Sequence, residues 1–167
     1  MTFSIHDAAA PIFVRGLTNL SGFLDKALAE GFDEAALMQA RLYEDMRPLP
    51  AQVQLASDSA KGAIARLAGV DNPPMADTEA SFAELKDRIA RTLAFIESVD
   101  PAAFDGAETR PVVLKAGGRE QHFLGAAYLT GFAVPNFLFH VTTTYAILRK
   151  EGVPLGKLDY LGRLDLV

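Results

Sequence analysis

The chain has no cysteine and only three histidines among its 167 residues. Without cysteine there is no disulfide, no thiolate metal ligand and no cysteine nucleophile. No apolar run approaches the ~20 residues that a membrane-spanning helix requires. Lysine and arginine are not clustered, and the formal net charge is −5, so nothing offers the basic surface needed to hold a nucleic-acid backbone. GVPLGK (residues 152–157) lacks the GxxxxGK[ST] spacing of a phosphate loop, and neither the serines nor Thr142, Thr143 and Thr144 stand in a nucleophile-elbow context. The opening MTFSIHDAAAP has neither a basic nor an apolar leader region, and the cytoplasm is the expected compartment.

What is present is half hydrophobic (50%) with 22% charged residues, the balance of a globular protein. Residues 1–167 are expected to form one domain, long enough to bury about two thirds of the unfolded surface around a single core. Ser4 with Asp7 makes a capping-box start, and Ile5, Ala9, Ile12, Gly16, Leu20, Phe23 and Ala27 recur at helical spacing, predicting a first helix from Ile5 to Ala29. A second helix is expected in two pieces, Asp33 to Met46 and Pro50 to Ala68, interrupted by MRPLPAQ. Ser81 with Glu84 opens a third, FAELKDRIARTLAFIESV, whose charged residues, including Arg88, read as a solvated face. In RPVVLKAGGREQHF the Gly117–Gly118 pair predicts a hairpin with Lys115 opposite Glu120 and Val112 opposite Phe123. A fourth helix then runs from Val134 to Lys150, followed by a tail apolar enough to lie against the others.

On the wheel of that fourth helix, Val134, Phe137, Leu138, Val141, Tyr145 and Leu148 form the main apolar face. His140 falls on its flank with Asn136, Thr143 and Thr144, a polar seam expected to be taken out of water. Two readings follow. Either Asn136, His140 and Thr144 satisfy one another or a buried water, or His140 is a metal ligand that needs two or three further His, Asp or Glu groups converging at about 2.0–2.2 Å. His6, on the inward sector of the first helix, and Asp58 are the candidates for that role, although Asp58 also has Lys61 within pairing distance on its own helix. His122 sits on the solvated face of the hairpin. Phe139, Ala146 and the tail make a second apolar side, where a homodimer contact is expected.

PNFLFHVTTTYAILRKEGVPLGKLDYLG, preceded by ARLYEDMRPLPAQVQLASDSAKGAIARLAGVDNPP, resembles a bacterial family known only as a domain of unknown function, which is similar in turn to the DinB/YfiT-like superfamily. The resemblance runs nearly end to end. It implies an all-α, up-down-down-up four-helix bundle with a small β-hairpin between the third and fourth helices. It also implies a divalent metal such as zinc or nickel, held by one histidine of the second helix and an HxxxH pair of the fourth, in a superfamily that includes thiol-dependent transferases and hydrolase-like enzymes. His140 matches the first histidine of the pair, but the second position is Thr144, and no histidine occurs between His6 and His122. The resemblance therefore implies a degenerate site without a full ligand set: a small-ligand or weak metal binder around His140, drawing on Asn136, Thr144, Tyr145, Asp58 and, in a bundle whose first and fourth helices run parallel, His6. The alternative is a non-catalytic homodimeric bundle in which His140 is a hydrogen-bonded core residue.

Overall fold

The structure is a computed structural model that describes residues 4–116 and 118–163. Helix α1 spans Ile5–Ala29 and is capped as expected, with the Ser4 hydroxyl accepting from the Asp7 amide while the Asp7 carboxylate accepts from the Ser4 amide. Pro11 is absorbed within it. Asp33 caps α2, Glu34–Gln39, which is shorter than the run to Met46 that periodicity predicts. Beyond it the chain turns away. Pro48 biases the preceding residue out of the helical region, Arg41 donates to the Met46 carbonyl, and the Leu49 amide returns to the Ala40 carbonyl at 2.9 Å. Helix α3, Leu49–Ala68, then begins with Pro50 in its first turn and ends on Gly69, whose φ of +72° is the left-handed conformation that glycine adopts without strain.

After an irregular crossing over residues 70–81, Ser81 caps α4, Phe82–Ser98. A single 3-10 turn, Pro101–Phe104, leads to the antiparallel strands β1, Pro111–Ala116, and β2, Arg119–Leu124. Their register pairs Lys115 with Glu120 and Val112 with Phe123, as the charge and apolar matching require. Gly117 lies outside the described residues, as do 164–167 of the tail. Helix α6, Val134–Lys150, has the expected bounds but not an isolated start. It continues from α5, Gly125–Tyr128, through a π-helical turn, Leu129–Ala133. A wider turn is a reasonable accommodation for Pro135, which has no amide to donate back. The tail adds α7, Lys157–Leu161, which lies on α1 with the Asn19 amide donating to the Tyr160 carbonyl and Lys26 paired with Asp159 at 3.1 Å.

Helices α1, α3, α4 and α6 pack around one core that includes Phe13, Leu17, Leu20, Phe23, Val53, Ile64, Leu85 and Phe137, all essentially without exposure. Gly16 lets α1 approach α6 closely, since a Cβ there would come within 2.5 Å of the Phe137 ring. Among the described residues no helix is long and apolar enough to cross a membrane.

Arg88 departs from expectation. It does not lie on a solvated face. Its side chain is 0% exposed between α3, α4 and the 70–81 crossing, where Nη2 reaches Asp58 at 2.8 Å and Nη1 reaches Asp77, Glu79 and the Ala76 carbonyl at 3.0 Å. Asp58, expected to pair with Lys61, does so at 3.2 Å while also serving this cation. Burial by itself would raise the pKa of Glu79, but hydrogen bonds from Gln54 and Arg88 outweigh it and hold the carboxyl below the ordinary glutamate range. Arg88→Ala strands an enclosed carboxylate and should cost about 3–5 kcal/mol at neutral pH, measured by urea unfolding. Because the folded-state pKa of Glu79 is depressed, its contribution is complete above the unfolded glutamate pKa and is lost as pH falls through the lower folded value. The gap between wild type and variant should therefore narrow on acidification.

Candidate functional site

His140 faces α3 from the middle of α6 and is 9% exposed. Its partner is a residue that the sequence reading passed over. Nδ1 lies 2.8 Å from Oε1 of Gln52, in the first turn of α3. The same amide's Nε2 donates to the Arg47 carbonyl at 3.0 Å. A main-chain carbonyl can only accept, so that second bond fixes which end of the Gln52 amide faces the imidazole, and an amide oxygen facing Nδ1 requires Nδ1 to carry the proton. The neutral ring then leaves its lone pair on Nε2. That nitrogen has no protein partner among the described residues and is not among the polar atoms sealed from solvent without one.

Of the seam residues expected to satisfy one another or a buried water, neither Asn136 nor Thr144 bonds to the ring. Asn136 donates to the Ser59 hydroxyl at 2.7 Å, and that hydroxyl donates to the Leu55 carbonyl. Thr143 and Thr144 each turn back to the carbonyl four residues earlier, Phe139 and His140 respectively. The side chains of Asn136, Thr143 and Thr144 thus find partners on α3 or on their own helix, as burial demands. One signal for Gln52 was available: it lies between Leu49 and Val53 on the buried side of α3, an amide at an inward position.

The other candidates are dispersed. His6 packs edge-on against Phe104 with ring centroids 5.2 Å apart and borders a cavity of about 430 Å³ with Ile96, Val99 and Pro101. Asp58 belongs to the Arg88 cluster. Tyr145 packs edge-on against Phe23 and Tyr160, toward α1 and α7. His122 sits on the exposed hairpin. The contacts of these residues therefore do not assemble one pocket of His6, Asp58, His140 and Tyr145.

The donor set also fits a resident metal poorly. Beside His140, Gln52 presents an amide oxygen already engaged with the ring, and the hydroxyl of Thr144, at the second position of the implied HxxxH pair, is engaged with a backbone carbonyl. Neutral amide and hydroxyl oxygens are weak ligands for zinc or nickel. Among the described residues no group of three or more His, Cys, Asp or Glu side chains is placed to hold an ion. What the arrangement offers is a neutral imidazole of fixed tautomer. Burial lowers the pKa of His140, so it should titrate below the ordinary histidine value of about 6.5, which a ring-nitrogen NMR pH titration measures directly. The sign follows from linkage: a depressed folded pKa makes burial of the neutral ring fully stabilising above pH ~6.5, with the contribution lost as pH falls through the folded value.

Comparison with known proteins places this geometry in a family. The profile of a domain of unknown function, DUF1993, matches residues 5–161. The crystal structure of a DinB family member protein from Shewanella denitrificans is similar over 98% of this chain and 94% of that one, with 36% sequence identity and a TM-score of 0.90. No curated protein matches the sequence. The chain belongs to the DUF1993 family, related to the DinB-like helical proteins.

Proposed function

We propose that this protein binds a small molecule bearing a hydrogen-bond donor, with Nε2 of His140 as the acceptor, in an up-down-down-up bundle. The observation that carries the reading is the fixed proton arrangement from the Arg47 carbonyl through the Gln52 amide to Nδ1 of His140. It commits the ring's basic nitrogen to whatever approaches its open edge. A lowered pKa keeps that nitrogen unprotonated at neutral pH. Two sets of contacts support the topology. Phe13 meets Phe137 and Phe23 meets Tyr145, advancing together along α1 and α6, whereas Gln52 meets His140 and Ser59 meets Asn136, running oppositely along α3 and α6. Gln54 meets Glu79 just ahead of α4 and Asp58 meets Arg88 within it, so α3 and α4 advance together. One basic nitrogen supports recognition, since proton-transfer chemistry would need a complementary acid from the ligand itself. A cytoplasmic setting is part of the same proposal.

The test is a titration of small phenols, alcohols and amides followed on the Nε2 resonance of His140. Saturable shifts are expected, with binding lost in His140→Ala and weakened about tenfold in Gln52→Leu, the worth of one positioned hydrogen bond. Binders that saturate the protein while leaving that resonance unmoved would sink the reading. The metal question has its own readout. If Gln52 and Thr144 stand where ligands are missing, Gln52→His combined with Thr144→His should acquire zinc or nickel stoichiometrically by elemental analysis of tag-free protein, at affinities at least a hundredfold above wild type. Failure of the double variant to take up metal would remove the degenerate-site interpretation.

A second reading, the homodimer, is favoured by Phe139, which is 55% exposed beside Leu138 at 37%. Light scattering should then give twice the 18.0 kDa chain mass, and Phe139→Asp should return it to monomer; a monomer at every concentration counts against it.

A further inference from the structure

The flank of α6 that faces away from α3 borders a separate open groove of about 310 Å³, with α1 and α7 as its other walls. Its walls are apolar, with Ile12, Gly16, Leu138, Val141 and Leu161 among them. Asn19 and Tyr160, polar residues that border this space, each have a hydrogen-bond partner. The Asn19 amide donates to the Tyr160 carbonyl at 2.6 Å, and the Tyr160 hydroxyl shares a hydrogen bond with Thr142 at 2.9 Å. The exception is Arg15. It is exposed and borders the groove, and among the described residues no acidic side chain pairs with it. Past Arg15 the groove continues into a shallower space of about 280 Å³ bordered by Arg163. Among the described residues no carboxylate lines either part, so a chain of net charge −5 presents two cations, Arg15 and Arg163, beside an apolar slot.

That juxtaposition selects a ligand class. An apolar groove at the lower end of the size range of small-molecule sites favours a hydrocarbon chain, and a planar guanidinium beside it favours a carboxylate, which it can grip with two parallel hydrogen bonds. We propose that the groove between α1, α6 and α7 binds a medium-chain carboxylate, with the chain between Ile12, Leu138, Val141 and Leu161 and the head group on Arg15. α7 supplies one wall, and it is fastened to α1 by the Lys26–Asp159 pair and the Asn19–Tyr160 bond. The slot therefore exists only where the tail is docked.

Calorimetry with decanoate, kept below its micelle concentration, tests this on the full chain. Decanoate should bind saturably at one per chain and at least tenfold more tightly than 1-decanol. Shortening it to octanoate should weaken binding roughly tenfold, as the loss of two buried methylenes requires. Arg15→Gln, a change on the surface, should reduce decanoate affinity to that of decanol without altering decanol binding. Leu138→Trp should weaken both by filling the bore. No saturable heat with decanoate, or unchanged decanoate affinity in Arg15→Gln, overturns the proposal. Decyl phosphate binding more tightly than decanoate overturns the carboxylate assignment.

Discussion

A guanidinium withdrawn completely from water is the constraint around which this bundle is organised. Arg88 cannot shed its proton, so each element beside it has to supply oxygen: Asp58 from α3, and Asp77, Glu79 and the Ala76 carbonyl from the 70–81 crossing. That requirement holds an irregular segment of a dozen residues in a defined path between two helices. It also orients α3, and α3 carries Gln52 and Ser59, the two residues that satisfy the polar seam of α6. A buried ion pair adds little net stability compared with apolar packing, but its directional demands are strict. Here those demands coincide with the geometry on which His140 depends.

The imidazole at His140 shows how a neighbour changes the chemistry of a side chain. A histidine bonded to Thr144 and Asn136 would be a closed polar cluster. Bonded instead to a glutamine whose amide is itself anchored by a backbone carbonyl, it has a fixed tautomer and an uncommitted nitrogen. The same orientation serves metal-bound histidines in other proteins, where the distal nitrogen's hydrogen bond sets the ligand. In this chain the hydrogen-bonding groups next to it are the Gln52 amide and the Thr144 hydroxyl, neutral oxygens that are weak ligands for zinc or nickel.

Much of the frame was readable along the chain because its signals are local. Capping residues Ser4, Asp33 and Ser81, the glycine after α3 and the paired charges of the hairpin each act within a few residues of themselves. The errors came from longer range. The first part of the broken helix stops at Gln39 because loop hydrogen bonds and Pro48 compete with periodicity. Arg88 read as part of the solvated face of its helix, yet it turns inward to Glu79, while Glu84 accepts from the Ala80 amide.

The linear order of residues was sufficient to establish four amphipathic helices, one hairpin and a buried histidine, since each of these follows from composition or from spacing on a single element. Which groups meet across elements was decided only by the tertiary structure. Gln52 and His140 are 88 residues apart, and Lys26 and Asp159 are 133 apart. A hydrogen bond depends on ångström-scale distance and direction, and the fold alone brings such distant residues within that range.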